Sequence, residues 1–368
     1  MVQVVPTLNC GGAERVCVEV ARGLDRSRFE VTVLTLEPLA DTRLERDLQN
    51  SGVKIHALDK RPGPDARMYP RSFRALGHYR PDILHTHLYV LPYIAPAEWL
   101  YKVPSLHTIH NLAEKDATGF VRVANSLAFR MGTIPVGISP RVAESVHRLY
   151  HSRRIPLIPN GIDVKPFRGA QDVRARWRSR NGYSQQDFLI ASVGRLDPQK
   201  NYSQLISACA ELRRGHRSVK LIIAGEGQCR NDLQKIIDEF ALDDTVRLAG
   251  ERSDVVDMLL ASDLYISTSL WEGNPLSVME AMAAGLAVIA SSVGGIPDLI
   301  DDGINGILIP CLDHKILLRS VGEVINSADL RRRLGEAARE KAFDRMDVSG
   351  MICAYGKLYE ELAVARSI

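Results

Sequence analysis

The fold of this chain is decided by the stretch Trp271-Glu272-Gly273-Asn274-Pro275-Leu276-Ser277-Val278-Met279-Glu280-Ala281-Met282-Ala283-Ala284-Gly285. Its pattern predicts a loop that turns into a helix, with Asn274 at the N-cap and Pro275 at the first helical position. The residues Ala281 to Ala284 favour helix, and Gly285 can end it. The first turn contains no acidic residue, which leaves the positive end of the helix dipole open to an outside anion such as a phosphate.

Two carboxylates flank the start of this predicted helix. Glu272 lies in the loop and Glu280 lies within the helix. At a rise of about 1.5 Å per residue they are roughly 12 Å apart, too far to share a proton. We therefore expect each carboxylate to accept hydrogen bonds from the hydroxyl groups of a different part of one extended ligand, with a phosphate between them. The alternative for either residue alone is a solvated acid on an amphipathic helix.

The same stretch resembles a known signature. Two glutamates separated by seven residues, in this context, are similar to the donor-binding motif of the family 4 retaining glycosyltransferases. The resemblance continues through Leu286–Ala290 and Gly294–Asp298. It implies the GT-B fold, an α/β architecture in which two Rossmann-like domains face each other across a cleft.

The chain is long enough for the two domains that the resemblance implies. We expect an acceptor-binding domain at residues 1–163 and a donor-binding domain at residues 164–350. Proline and an Asn-Gly turn interrupt regular structure at Ile155–Asp163, which resembles the hinge of the family. A final amphipathic helix, about residues 351–368, is expected by analogy to pack back on the first domain.

The second half of the sequence carries most of the residues that the resemblance assigns to the donor. Arg195 and Lys200 follow a predicted strand and precede a predicted helix, where a guanidinium and an ammonium can neutralise a diphosphate. The alternative is a pair of surface cations worth under about 1 kcal/mol. In the family the matching cations stabilise the departing diphosphate. We expect Glu280 to accept hydrogen bonds from the ribose hydroxyls of the donor. The implied donor-binding set is Gly11, Gly12, Gly194, Arg195, Lys200, Gly250, Arg252, Glu272, Gly273, Asn274, Pro275, Leu276 and Glu280, and the implied catalytic groups are Arg195, Lys200, Glu272 and His110.

A strand, a glycine turn and a helix start also follow one another at the N-terminus. Val2–Pro6 predicts a strand, and Gly11 and Gly12 precede the predicted helix Ala13–Leu24. Glycines in such a turn let a phosphate approach the backbone closely. By resemblance this loop faces the donor phosphates and the acceptor, whereas Glu14 is interpreted as a helix-start residue.

Four histidines lie at the carboxyl ends of two predicted strands: His85, His87, His107 and His110. Ligands of open α/β sheets bind at such strand ends, so His87 and His110 are placed for function. We expect His85 to share the face of His87, and His107 to point to the side opposite His110. A metal site needs three converging ligands, and with no Asp-x-Asp in the chain we expect none. By resemblance His110 lies close to the donor sugar; the alternative is an ordinary hydrogen-bonded histidine at a strand end.

Positive charge is concentrated in the first half of the chain. Residues 1–165 contain 22 Lys and Arg against 16 Asp and Glu, whereas residues 166–368 contain 25 against 28. The excess gathers in the basic stretch 60–80, which comprises Lys60, Arg61, Arg67, Arg71, Arg74 and Arg80 with Met68, Phe73, Leu76 and Tyr79 interleaved. Such a stretch can contact anionic lipid, at about 1 kcal/mol per basic residue, or be a solvated surface. No nucleic-acid-binding motif accompanies it, so we expect no nucleic-acid partner.

The composition predicts a globular protein of the cytoplasm. Residues 60–80 could in addition give it peripheral contact with the cytoplasmic face of a membrane. The apolar runs are strand-sized, well short of the roughly 20 residues that a membrane span needs, and the N-terminus reads as a strand rather than a leader. The cysteines form no Cys-x-x-Cys, so neither a zinc site nor a disulfide framework is indicated; they are Cys10, Cys17, Cys209, Cys229, Cys311 and Cys353.

We therefore expect a retaining, metal-independent glycosyltransferase that needs no cofactor and moves a sugar from a nucleoside diphosphate sugar to an acceptor hydroxyl. UDP and GDP are the expected nucleotides, and the acceptor is expected to be a saccharide or a glycolipid in polysaccharide, lipopolysaccharide or glycolipid synthesis. An enzymatic alternative is a sugar-nucleotide 2-epimerase of GT-B fold, and the non-enzymatic alternative is a two-domain α/β ligand-binding protein. Gly225-Glu226-Gly227 lacks the third glycine of the dinucleotide fingerprint, so it is weak support for NAD.

Overall fold

The chain forms two compact units in a computed structural model that describes residues 1–9, 11–169, 172–216 and 218–366. The first unit comprises Met1–Gly161 and Val348–Ile368, and the second comprises Ile162–Asp347. Cys10 and the last two residues of the expected final helix lie outside the described residues.

The first unit is built on a six-stranded parallel sheet with the order β3-β2-β1-β4-β5-β6. Its strands are rich in apolar and β-branched residues because helices cover both faces of such a sheet. They are β1 Val2–Val5, β2 Thr32–Thr35, β3 Lys54–Ala57, β4 Leu84–His87, β5 Ser105–Ile109 and β6 Ile134–Gly137. The connecting helices are α1 Gly12–Gly23, α2 Arg43–Asn50, α3 Met68–Tyr79, α4 Leu91–Tyr101, α5 Ala113–Asp116, α6 Gly119–Arg130 and α7 Pro140–Tyr150.

The second unit repeats this topology with the order β12-β11-β10-β7-β8-β9. Its strands are β7 Phe188–Val193, β8 Val219–Ala224, β9 Val246–Leu248, β10 Leu264–Ser267, β11 Ala287–Ser291 and β12 Ile307–Ile309. Its helices are α8 Val173–Asn181, α9 Tyr202–Gly215, α10 Arg230–Glu239, α11 Val255–Ala261, α12 Leu276–Ala283, α13 Ile296–Leu299, α14 His314–Asn326 and α15 Ala328–Arg345.

The last helix, α16 Val348–Arg366, belongs to the first unit. Its apolar stripe is buried: Tyr355 and Tyr359 are inaccessible to solvent. The Tyr359 hydroxyl lies 2.7 Å from Nδ1 of His85, and the Tyr355 hydroxyl lies 2.8 Å from Oγ1 of Thr108. The final helix therefore packs against the strand ends that carry the histidines.

Both sheets reverse their strand order at one position, which is the Rossmann arrangement. In the first unit the reversal lies between β1 and β4, and in the second it lies between β7 and β10. Loops that leave adjacent strands at such a position separate and create a crevice at the carboxyl ends. The topology therefore points to those two pairs of loops as candidate ligand sites.

The basic stretch 60–80 is exposed only in part. The ammonium of Lys60 is turned inward, donating to the carbonyls of Arg61 and Gly63 at 3.0 and 2.7 Å. Met68 and Leu76 are buried in the core of the first unit. Phe73 and Tyr79 are partly buried against the same core, so the apolar side chains of α3 pack mainly on the protein. Among the described residues, no helix combines the length and apolar character that crossing a bilayer requires.

Candidate functional site

Two loops of the second unit meet where its strand order reverses. One follows β7 and spans residues 194–201, and the other follows β10 and spans residues 268–275. The hydroxyl of Thr268 donates to the carbonyls of Lys200 and Asn201 at 3.0 and 3.1 Å. These bonds hold the end of the first loop against the start of the second.

An ion pair between Lys200 and Glu272 lies at this junction. The Lys200 ammonium is 2.6 Å from Oε1 of Glu272, and their side chains are only 16% and 7% exposed. The hydroxyl of Ser269 donates to the same carboxylate oxygen at 2.7 Å, and the amide of Gln199 donates to the Trp271 carbonyl at 2.8 Å. Two residues that the sequence assigned to one site are therefore direct partners, in surroundings that strengthen electrostatic interactions.

Helix α12 begins directly after this loop. Pro275 occupies the N-cap with extended backbone (φ −75°, ψ 119°), and in the described structure no side chain caps the helix. The prediction of Asn274 as N-cap and Pro275 as first helical residue is therefore wrong by one position. The helix start can still receive an anion, because the first turn contains no acid and its N–H groups carry the positive end of the dipole. Gly273, Asn274, Pro275 and Leu276 are all buried.

The backbone of the Glu272 loop is in contact with the loop after β11. Gly294 has φ +52°, and a Cβ atom there would lie 1.6 Å from the carbonyl oxygen of Glu272. Glycine is needed both for the left-handed conformation and for this close approach. The contact holds the backbone of Glu272, whereas Lys200 holds its side chain.

Glu280 lies in the interior of α12 with 5% of its surface exposed. Tyr265, on β10, has a buried hydroxyl whose pKa is raised, mainly by burial and to a smaller extent by the carboxylates of Glu272 and Glu280. Tyr202, at the start of α9, has a pKa that burial raises well above 10. Sequence reasoning missed both tyrosines because their positions are indistinguishable from core aromatic positions.

Arg195 does not join the Lys200–Glu272 pair. Its side chain is 71% exposed, and its Nε lies 3.5 Å from a carboxylate oxygen of Asp197. Such an exposed contact is weak, so the guanidinium can reorient at little cost. Gly194, the residue before it, has Lys200 as its neighbour, since a Cβ atom at Gly194 would lie 2.7 Å from Cε of Lys200.

Arg252, expected to line a nucleotide base, is held by an internal network. Its guanidinium donates to Asp254 at 2.6 and 2.8 Å and to Asn181 at 3.0 Å, and it lies 5.3 Å from the ring centroid of Trp177. These contacts attach α8 to the loop after β9. Gly250 lies in that loop, and its carbonyl accepts a hydrogen bond from the Gly225 N–H at 2.8 Å.

The first unit contains a chain of hydrogen-bonded side chains at its own strand-order reversal. Nδ1 of His87 on β4 lies 2.9 Å from Nε2 of His110, and Nε2 of His87 lies 3.2 Å from Oε1 of Gln3 on β1. Burial lowers the pKa of His110 to about 3 and lowers that of His87 as well, so both rings are neutral near pH 7.

The Gln3 oxygen sets the tautomers along this chain. A carboxamide oxygen only accepts, so the proton of His87 is on Nε2 and its Nδ1 is an acceptor. His110 must then donate from Nε2, which leaves its Nδ1 as an acceptor for a ligand hydroxyl. His107 points to the opposite side, as expected, where Nδ1 lies 2.8 Å from the hydroxyl of Thr86.

The backbone around His110 is also fixed. The His110 N–H donates to a carboxylate oxygen of Asp116 at 2.9 Å, and burial raises the pKa of that carboxyl to about 7. Gly11 is the N-cap of α1 and Gly12 is its first residue, with Glu14 in the first turn. Within residues 1–9, 11–169, 172–216 and 218–366, no group of three or more His, Cys, Asp or Glu side chains converges as a metal site would require.

Each half of the chain matches a family of known proteins. The model of Glycosyltransferase Family 4 matches residues 10–165, and the model of Glycosyl transferases group 1 matches residues 173–341. The putative glycosyltransferase EpsD of Bacillus subtilis (strain 168) is 30% identical over 183 residues, which cover 50% of this chain and 48% of that protein.

Two further proteins are similar over nearly the whole chain. The UDP-Gal:alpha-D-GlcNAc-diphosphoundecaprenol alpha-1,3-galactosyltransferase of Escherichia coli is 26% identical over 379 residues, covering 99% of this chain and 96% of that protein. The crystal structure of Anabaena HepE in complex with UDP and glucose superposes with a TM-score of 0.87 at 21% identity, covering 98% of this chain and 99% of that one. At this identity the structural likeness establishes the fold.

Proposed function

Because the chain belongs to glycosyltransferase family 4 and has the GT-B fold, we propose that it transfers a sugar from a UDP-sugar to an acceptor hydroxyl, with retention of configuration and without a metal ion. The proposal of UDP rests on the Escherichia coli relative, which is named for UDP-Gal, and on the Anabaena structure, which contains UDP. The second unit is the proposed donor-binding domain, and the first is the proposed acceptor-binding domain. Family membership removes the non-enzymatic binding protein as an alternative.

The observation that carries this proposal is the buried ion pair of Lys200 and Glu272. Glu272 holds the ammonium at a fixed place beside the start of α12. A diphosphate bound at that helix start would give Lys200 a second anionic partner without requiring the side chain to be reoriented. Charges placed in advance where negative charge develops are usually the largest contribution to catalysis.

Arg195 supplies the proposed second positive charge. Its exposed guanidinium has only a 3.5 Å contact with Asp197 to give up, and its planar fork fits two phosphate oxygens. Lys200, Arg195 and the N-terminal dipole of α12 would together stabilise the departing UDP.

Glu280 and His110 are each proposed to accept a hydrogen bond from a hydroxyl group of the donor. The buried carboxylate of Glu280 is suited to accept from ribose hydroxyls, since charge-assisted hydrogen bonds are roughly twice as strong as neutral ones. The Nδ1 acceptor of His110 is suited to a hydroxyl of the transferred sugar. Arg252 is omitted from the proposed donor contacts because its guanidinium is committed to Asp254 and Asn181.

In this proposal the configuration is retained because the acceptor oxygen attacks the anomeric carbon on the same face from which the leaving group departs. Glu272 already neutralises Lys200 at 2.6 Å, which makes its carboxylate a poor covalent nucleophile. The acceptor oxygen would bond to the anomeric carbon as the bond from that carbon to the phosphate oxygen breaks. The acceptor's hydroxyl proton would pass to the leaving phosphate.

The proposed acceptor is a saccharide or a glycolipid, and the proposed compartment is the cytoplasm. The Escherichia coli relative is named for a sugar linked to diphosphoundecaprenol, which supports a lipid-linked acceptor. The cysteines of the described residues are free thiols, which is consistent with a reducing compartment.

The test is a panel of UDP-glucose, UDP-galactose and UDP-N-acetylglucosamine, each with octyl glycosides as acceptor probes and with added chelator. We expect UDP release that is insensitive to chelator and an α-linked product from an α-linked donor, read from the anomeric proton coupling by NMR. A β-linked product would overturn retention, and loss of activity with chelator would overturn metal independence. A changed sugar in the absence of acceptor would instead identify a 2-epimerase.

A further inference from the structure

Helix α6 of the first unit turns an apolar stripe toward solvent. Phe120, Val123, Leu127 and Met131 follow one another at intervals of three and four residues, which places them on one face of the helix. They are 67%, 65%, 47% and 53% exposed. At a rise of about 1.5 Å per residue the stripe is roughly 16 Å long.

The opposite face of α6 packs on the protein. Asn125 and Ala128 are fully buried, and Ala128 belongs to a small cluster with Leu91 and Ala95 of α4. The side of α6 that faces the core therefore carries Asn125, Ala128 and the partly buried ring of Phe129. Four other large apolar residues are on the solvent side, where an ordinary surface helix carries polar residues. Contiguous exposed apolar residues of this kind mark interaction sites.

Basic side chains accompany the stripe. A surface cavity of about 410 Å³ is lined by Arg122 and Arg130 together with Val123, Leu127, Leu149 and Tyr150. The guanidinium of Arg122 is held in place by the carbonyls of Ala117 and Glu114 at 3.1 and 3.0 Å, which are uncharged partners.

A second cavity, of about 420 Å³, brings Lys102 to Met131 at the far end of the stripe. The surrounding segment, residues 102–154, contains eight Lys and Arg against three Asp and Glu. Arg122, Arg130 and Lys102 therefore lie in the cavities that adjoin the stripe.

We propose that α6 is the surface by which this protein docks on a bilayer with anionic headgroups. A helix that lies in a membrane interface needs an apolar face to enter the acyl boundary and basic residues to meet the headgroup phosphates. α6 and its border provide both on one face.

Charge favours lipid over a second copy of the chain as the occupant. In a symmetric dimer through α6 the same patch would meet itself, and Arg122, Arg130 and Lys102 of both copies would be brought together. Anionic headgroups remove that repulsion, at about 1 kcal/mol per basic residue, or a factor of about five in binding.

This docking surface would serve the proposed function by bringing a glycolipid acceptor to the first unit, and only that benefit rests on the proposed function. α6 follows α5, whose Asp116 holds the backbone of His110 at 2.9 Å. Membrane binding itself needs neither donor nor acceptor, so it is measured without them.

The experiment is co-sedimentation of the full chain with vesicles of phosphatidylcholine alone or with phosphatidylglycerol as about a third of the lipid. We expect binding to the anionic vesicles that weakens at high salt. The triple variant Phe120→Ser, Val123→Ser, Leu127→Ser should bind at least about tenfold more weakly, because it removes apolar surface whose burial favours binding. Arg130→Glu should bind at least about fivefold more weakly.

The control variants make the same kinds of substitution at exposed residues of the second unit. Ile304→Ser with Leu312→Ser removes two apolar residues that are 61% and 65% exposed on the second unit, and Arg319→Glu reverses an exposed charge on α14. Both controls should bind as the wild type does, and all variants should keep its unfolding midpoint. Equal vesicle binding by the wild type and the triple variant would overturn the proposal, as would equal binding to both vesicle types. A dimer in sedimentation velocity that the triple variant abolishes would assign the face to self-association instead.

Discussion

The ammonium of Lys200 lies 2.6 Å from a carboxylate oxygen of Glu272, and 16% and 7% of the two side chains are exposed. Lys200 lies in the loop after β7, and Glu272 lies in the loop after β10, so the pair joins the two loops at the reversal of strand order. The ion pair is therefore both a structural link and the best candidate for the charge that receives a diphosphate.

Energetic coupling between Lys200 and Glu272 should be measurable in a double-mutant cycle. We expect Lys200→Ala and Glu272→Ala each to lower the free energy of unfolding by about 2 kcal/mol, because each leaves a largely buried charge without its partner. The double variant should lose clearly less than the sum. The exposed pair of Lys235 and Asp232, 2.8 Å apart, is the control, and its cycle should show no measurable coupling. Strict additivity at Lys200 and Glu272 would contradict the reading of the pair as a link.

A side chain at Gly294 should disrupt the Glu272 loop. Gly294→Ala combines a left-handed φ of +52° with a Cβ atom 1.6 Å from the Glu272 carbonyl oxygen. Gly303→Ala is a matched control, because Gly303 has φ +73° but nothing within 4 Å of the added atom. We expect the control to cost about 1 kcal/mol and Gly294→Ala to cost at least about 2 kcal/mol more, through displaced backbone. Equal unfolding midpoints for the two variants would contradict this prediction, because they would show that the Glu272 loop accommodates the added Cβ atom without a loss of stability.

Strand ends and loop order could be predicted from the sequence, since apolar strands, glycine turns and helix starts are local signals. That is why Lys200, Glu272 and His110 were all placed at carboxyl ends of strands. The start of α12 was predicted one residue early because Asn274 has the better capping chemistry, whereas the extended ψ of 119° puts Pro275 at the N-cap. A single-residue shift of this kind depends on how the loop is held by its neighbours.

Long-range contacts could not be predicted in the same way. The inward turn of Lys60 depends on carbonyls of its own loop, and the outward stripe of α6 depends on what covers the other side of the helix. Periodicity shows that one face is apolar and does not show which face meets the core. For this reason the sequence pointed to the basic stretch 60–80 as a possible membrane contact and did not point to Phe120 or Leu127.

His110 should exist as the tautomer protonated on Nε2. Because Gln3 Oε1 accepts from His87, the His110 ring must donate to His87 Nδ1 at 2.9 Å. Long-range ¹H–¹⁵N correlation on histidine-labelled protein, assigned with His110→Asn, measures this directly. Gln3→Leu should alter the signals of His87 and His110 and leave His107, on the other face, unchanged. A His110 protonated on Nδ1 would contradict the assignment.

Buried histidines should make the protein sensitive to acid. Burial lowers the pKa of His107 and His110 to about 3, and lowers the pKa values of His85 and His87 well below their usual range. In the unfolded chain these histidines have a pKa of about 6.5. Between about pH 6.5 and 3 the unfolded state therefore takes up protons that the folded state does not, and stability falls as the pH falls.

Two buried carboxyls act in the opposite direction. Burial raises the pKa of Glu98 and of Asp116 to about 7, so their contribution to stability is present at low pH and is lost as the pH rises through 7. Because four histidines lower the free energy of unfolding as the pH falls and only two carboxyls raise it, the net effect of acid is a loss of stability. We expect the unfolding midpoint to fall steadily between about pH 6.5 and 4.5. A constant midpoint, or one that rises toward acid, would contradict the burial of the histidines.

The most direct test of the proposed site is the turnover of Lys200→Ala, measured as UDP release with the donor and octyl glycoside that the wild type uses. The control is Lys235→Ala, which removes an exposed lysine of the same unit. Loss of one preorganised charge of this kind lowers turnover by about 10²-fold or more, and we expect that loss for Lys200→Ala while Lys235→Ala remains at the wild-type rate. A near-normal rate for Lys200→Ala would remove the ion pair from the mechanism and contradict the central claim.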